Sequence, residues 1–196
     1  MTLIKTVSHD TIKPFVKECF DLKGSYRTFY IFFSLISFAG LAGLTGYSVT
    51  RLVMGDTVYI IQLGAALLFC LTLLIILHEL LHALAYAVLG ARHLYFGANL
   101  KKFVFYVGSD GDFFSGKQFR IIALSPFIGV LFLSILLLIT APQYTFFSLF
   151  VICLHSFFCG GDFGMLNYAA QFPDKQFFTS DSRKKKETYF FLKDPI

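Results

Sequence analysis

Four stretches of this chain are too long and too apolar to sit comfortably anywhere but in a bilayer. Residues 29–50, 58–90, 119–140 and 144–172 each exceed the roughly 20 residues that carry an α-helix across hydrocarbon. Composition agrees: of 196 residues, 56% are hydrophobic and 15% charged, and the mean hydropathy is +0.68. The expectation is one all-α polytopic membrane domain over residues 1–196 with four transmembrane helices. The first and second segments, and the third and fourth, are joined by very short connections, so each pair runs antiparallel. The second and fourth are longer than a perpendicular span needs and are expected to tilt, bend or protrude. No cleavable leader is expected, because the first 27 residues are polar and too long for a charged leader region.

Orientation follows from the 17 Lys and Arg. Lys5, Lys13, Lys17, Lys23 and Arg27 precede the first segment. Arg92, Lys101, Lys102, Lys117 and Arg120 flank the middle connection. Lys175, Arg183, Lys184, Lys185, Lys186 and Lys193 follow the fourth, which leaves only Arg51 for the other side. Both termini and the middle connection are therefore expected in the cytoplasm of a multi-pass cell-membrane protein. The basic tail, residues 173–196, has Phe177, Phe178, Tyr189 and Phe190 around Arg183-Lys184-Lys185-Lys186. It reads as attraction to anionic headgroups, with no role for nucleic acid.

Within the middle connection, Leu94-Tyr95-Phe96 and Phe103-Val104-Phe105-Tyr106-Val107 are rich in aromatic and β-branched residues. With Gly97-Ala98-Asn99 as the turn between them, they predict a short cytoplasmic β-hairpin at the membrane surface. Ser109-Asp110-Gly111-Asp112 reads as a second turn. Ser115-Gly116-Lys117-Gln118, with Phe114 before it, fits a capping box that opens the third helix. Cys19, Cys70, Cys153 and Cys159 show no metal-binding spacing and read as small buried thiols.

The chemistry lies in the second segment. His78-Glu79-Leu80-Leu81-His82 is an HExxH pattern, and Ala65 to Leu77 before it carry no charge. Two His four residues apart share one helix face and can hold one metal ion. Glu79 lies near that face and can take the proton of the attacking water. A charged residue at this depth costs on the order of 2.5–3.5 kcal/mol on insertion scales and is functional by default.

Catalytic zinc needs a third protein ligand. An anionic one suits a buried site, because a carboxylate and a hydroxide together neutralise the ion. Asp162 is the only other acid in the last three apolar segments. It stands about 16 Å from the cytoplasmic end of its segment, while His82 and His78 stand roughly 12 and 18 Å from theirs. The alternative third ligand is His155, on about the same face but roughly 10 Å away along the axis, so one ion cannot take both. Failing that, His155 lines the cavity. Tyr86, one turn past His82, either packs or steadies an oxyanion. Gly160-Gly161 either permits close packing or loosens the helix before Asp162. His9 and His93 read as surface residues.

Together these residues resemble the site-two proteases: His78-Glu79-Leu80-Leu81-His82 early, a surface hairpin, Ser125-Pro126 in the third segment and Gly161-Asp162 in the last. The chain is more closely similar to small bacterial membrane proteins grouped as the "Putative zincin peptidase" family. It departs from site-two proteases where they carry an Asn-Pro-x-Asp-Gly-like run, reading Cys159-Gly160-Gly161-Asp162-Phe163-Gly164, and in Ser125-Pro126 for Gly-Pro. The resemblance implies a zinc metallopeptidase that cuts membrane-embedded or juxtamembrane peptide segments. Its ligands are then His78, His82 and Asp162, and its base is Glu79. Two other classes use the same residues: a membrane metal-binding or transport protein, and a catalytically silent adaptor of the same fold. A transporter needs repeats or a polar path across the membrane, and the outer halves of these segments are apolar. An adaptor has no need of Glu79. Oligomeric state is not legible.

Overall fold

The apolar segments fold as helices, and two of the four are bent. The computed structural model describes residues 1–99, 104–174 and 176–193, so Lys101, Lys102, Phe103 and Lys175 of the sequence reading lie outside the described residues. In chain order the elements are β1 (Thr2–Ser8), α1 (Ile12–Asp21), α2 (Ser25–Val53), α3 (Val58–Leu71) and α4 (Leu73–Val88). There follow β2 (Leu94–Asn99), β3 (Val104–Ser109), β4 (Phe113–Ser115), α5 (Gly116–Thr140), α6 (Thr145–Phe158), α7 (Gly160–Ala169), β5 (Phe177–Ser182) and β6 (Glu187–Leu192).

Helices α2 and α5 are each long and apolar enough to cross a membrane unaided. Only 6% of the most apolar 18-residue window of α2 is buried. Exposing such a face to water would forgo roughly 25 cal/mol for each Å² of apolar surface, so lipid is its fitting solvent. The second segment breaks at Thr72, where α3 and α4 meet at 44°. There the Thr72 hydroxyl donates to the Leu68 carbonyl at 2.6 Å, a side-chain bond that competes with the helix ladder. The fourth breaks at Cys159. Counting each bent pair as one span gives up to four crossings.

The chain divides into two compact units. One comprises Phe29–His78 and Pro126–Cys159. In it α3 packs on α6, so the second segment meets the fourth although neither follows the other in sequence. Gln62 fastens the pair, donating to the Gln143 carbonyl at 3.1 Å and accepting the Phe147 N–H at 3.3 Å. Helix α2 comes close to α6 at Gly40, where a Cβ would stand 2.8 Å from Cys153 Sγ. Arg51 forms an ion pair with Asp56, so the single cation outside the three basic clusters is neutralised locally.

The other unit comprises Met1–Thr28, Glu79–Ser125 and Gly160–Ile196, and it corrects the all-α expectation. Strands β1, β6, β5 and β4 form an antiparallel sheet in that order. The tail thus supplies two of the four strands. Phe177 and Thr179, two residues apart on β5, and Phe190, paired with Thr179 on β6, share one buried face, and Ser180 is buried as well. The run Arg183 to Lys186 is the exposed turn between the two strands, with Lys186 at φ 55°. Phe177 and Phe190 stack at 5.6 Å, and Phe15 of α1 and Tyr168 of α7 complete this aromatic core. Asn167 locks α1 to α7, its amide donating to the carbonyls of Cys19 and Leu22 at 2.9 Å each and its oxygen accepting the Arg27 N–H. His9 is buried, not superficial, with its ring against Tyr106 at 4.1 Å.

The hairpin of the middle connection is β2 with β3. Gly97-Ala98-Asn99 is strand and not turn, paired with Tyr106, Phe105 and Val104. The reason is local: a Cβ at Gly97 would meet the Tyr106 ring at 2.2 Å, so the glycine lets that ring lie across the neighbouring strand. The second turn forms as read. Gly111 takes φ 75°, and Asp112 accepts the Ser109 hydroxyl at 2.6 Å and the Arg92 N–H at 2.8 Å. The capping box forms too: Gln118 Oε1 accepts the Ser115 N–H at 3.0 Å, and Ser115 Oγ accepts the Gln118 N–H.

Candidate metal centre

Helix α4 carries His78, Glu79 and His82 on consecutive turns. The two imidazoles are buried, at 8% and 9% exposed. His82 Nδ1 lies 2.9 Å from the Ile122 backbone oxygen. A carbonyl only accepts, so Nδ1 carries the proton. The opposite nitrogen, Nε2, then faces Asp162 Oδ1 at 3.2 Å. Asp162 itself is buried in the first turn of α7, where the helix dipole favours a carboxylate.

His78 is held in the same manner. Its Nδ1 lies 3.1 Å from Nε2 of His155, with the rings near perpendicular. Cys159 Sγ follows at 3.7 Å from both nitrogens of His155. Each imidazole of the HExxH pair therefore has its Nδ1 engaged. Among the described residues, two groupings bring ligand-type atoms together: His82 with Asp162 at 3.2 Å, and His78, His155 and Cys159 within 4.8 Å of one another. Asp162 and His155 fall in different sets, and a bend separates them.

The donor chemistry fits zinc. With bonds of about 2.0–2.2 Å, two ligands at a tetrahedral angle stand about 3.3 Å apart, and the His82–Asp162 separation is 3.2 Å. Histidine ligands of metals almost always give their other ring N–H to a carbonyl or similar acceptor, as His82 does. Two imidazoles and one carboxylate are a ligand set that zinc accepts. The second set is less apt, because Cys159 Sγ is equidistant from both His155 nitrogens and so lines up with neither lone pair.

Gly160-Gly161 sits at the bend. Among the described residues, a Cβ at Gly161 would meet nothing within 4 Å, so this glycine does not admit a close neighbour. The Tyr86 hydroxyl is turned to Asp181 Oδ2 at 3.4 Å, and its ring packs on Phe114 and Ile122. Asp181 escaped the sequence reading because it lay in the supposed tail. It is half-buried on β5, accepts the Thr188 hydroxyl at 2.7 Å, and burial pushes its carboxyl up to about 6. Cys159 and the Ile122 carbonyl were also missed. A backbone oxygen carries no residue-type signal, although the proline four positions on is one.

The sequence profile of the family described as "Putative zincin peptidase" matches residues 71–177. The chain belongs to that family. The matched region includes His78, Glu79, His82, His155, Cys159 and Asp162, and the family's description points to metallopeptidase chemistry. No curated protein and no solved structure matches the chain.

Proposed function

We propose that this chain is a zinc-dependent intramembrane metallopeptidase, similar to the site-two proteases, that cleaves membrane-embedded or juxtamembrane peptide segments. His78, His82 and Asp162 hold the ion and Glu79 is the base. The observation that carries this reading is the state of His82: its Nδ1 is committed to a carbonyl while its Nε2 faces the Asp162 carboxylate at the edge length of a tetrahedral zinc site. Bound there, zinc supplies Lewis acidity, polarising a carbonyl and acidifying water. Glu79 takes the proton of the attacking water and delivers it to the leaving amine. His155 steadies His78 through Nδ1.

Hydrolysis needs water, and the bias of basic residues toward one side supports a cytoplasmic position for both termini and for the access route. The hairpin β2–β3 then holds an unwound substrate by adding a strand, leaving the scissile bond extended. The partners are a membrane protein or peptide substrate and the lipid bilayer, and nucleic acid is not one. The test is coexpression with a panel of single-span proteins that carry helix-breaking Gly or Pro near the cytoplasmic end of the span. Cleavage by the wild type and none by Glu79→Gln is expected. Equal cleavage by both removes the enzymatic reading of this site.

A further inference from the structure

In an α-helix the carbonyl of one residue accepts the N–H four residues later. For Ile122 in α5 that residue is Pro126, which has no N–H. The helix nevertheless runs unbroken from Gly116 to Thr140, and Pro126 is fully buried within it. Ile122 thus holds a backbone oxygen without its ordinary helical donor, at a depth where an unmet carbonyl is costly. Two other donors reach it. The Ser125 hydroxyl lies at 2.7 Å and His82 Nδ1 at 2.9 Å. The same hydroxyl is 3.1 Å from the Leu81 carbonyl on α4. It has one proton to share between the two oxygens, which leaves a place on the Ile122 carbonyl for the His82 Nδ1–H.

We infer that Pro126 is a positioning residue for the metal site: by withholding one N–H it frees the Ile122 carbonyl, which fixes His82 as the Nδ1–H tautomer and leaves the Nε2 lone pair for the metal. This rests on His82 being a ligand, as proposed above. It gives a specific task to a proline that otherwise only weakens a helix. A free carbonyl aimed at one ring nitrogen does two things at once. It selects the tautomer, and it sets the ring plane so that Nε2 points to Asp162.

The inference is tested with Pro126→Ala, which returns an N–H to the helix and offers Ile122 its ordinary partner in competition with His82. Pro126→Gly restores the same N–H without a side chain and serves as the second variant. Two readouts are taken on purified protein in detergent: zinc affinity by competition with a chelating dye, and the ¹⁵N chemical shifts of His82 in zinc-loaded, histidine-labelled protein, assigned with His82→Ala. In the wild type, Nε2 is expected to show the metal-bound shift and Nδ1 the shift of a hydrogen-bonded N–H. In both variants the Nδ1 resonance is expected to move toward that of an N–H without a carbonyl acceptor, and zinc affinity to fall about 10–100-fold. Helix content and melting temperature are expected to hold or rise, since a proline has left a helix interior. A merely structural proline would lower stability and leave the Nδ1 resonance alone. Zinc on Nδ1 in the wild type, or unchanged affinity in variants that fold, overturns the inference while His82→Ala still loses zinc. If His82→Ala keeps its zinc, the ligand assignment fails first and the inference falls with it.

Discussion

Replacing Asp181 by Asn should stabilise the protein at neutral pH and leave it unchanged in acid. Burial raises this carboxyl from its ordinary 3.8 to about 6, which at about 1.4 kcal/mol per pH unit is an upper bound of about 3 kcal/mol. Solvent that reaches the half-buried side chain screens part of this, leaving about 1–2 kcal/mol. The sign follows from proton binding. The folded state holds this proton more tightly than the unfolded chain, so the contribution is fully present below pH 3.8. It is lost as pH rises through about 6. Asn keeps a carbonyl oxygen for the Thr188 hydroxyl, which stands 2.7 Å from Asp181, and carries no charge to bury. Thermal unfolding of both proteins in one detergent at pH 4, 5, 6 and 7 reads the difference directly. The variant should match the wild type at the lowest pH and gain steadily to the highest. A variant less stable than the wild type at pH 7, or a difference that does not change with pH, refutes the reasoning.

Glu79→Gln should abolish hydrolysis with metal content near that of the wild type, because a base is lost and a ligand is not; loss of metal as severe as in His78→Ala would contradict that role. Asn167→Ala strands two carbonyls and one N–H and should cost about 3 kcal/mol; a loss below about 1 kcal/mol in the same melts would mean that water replaces the amide. Single cysteines at Lys13, Lys117 and Lys184 should resist an impermeant thiol reagent in intact cells, and one at Met54 should react; reaction at Lys117 would reverse the orientation and the access route.

What could be read from the sequence was local. Residues 28–50 lack any charge, and α2 follows. Ser115 and Gln118 lie three apart and cap each other. The HExxH spacing put two imidazoles on one face of α4 before any fold was known. What escaped depended on distant partners. Strand β1 is a strand because Leu3 pairs with Phe191 at the far end of the chain, and nothing near Leu3 announces it. In the tail, the run of Arg183 to Lys186 was legible as a cationic segment, but not as the turn between two strands. The bend at Thr72 was not legible either, because a Thr hydroxyl bonded to the carbonyl four residues back, as Thr72 is to Leu68, also occurs inside unbroken helices at Thr50 and Thr140. Asp162 could be singled out because acids are scarce in apolar segments. The Ile122 carbonyl could not, although Pro126 marked it.

The most direct measurement is the metal content of the purified protein and four variants by plasma mass spectrometry. About one zinc per chain is expected for the wild type and Glu79→Gln, and less than about a tenth of that for His78→Ala, His82→Ala and Asp162→Ala. Full zinc in Asp162→Ala, or a wild type that retains no divalent metal under conditions that keep it folded, would contradict a site made of these three ligands.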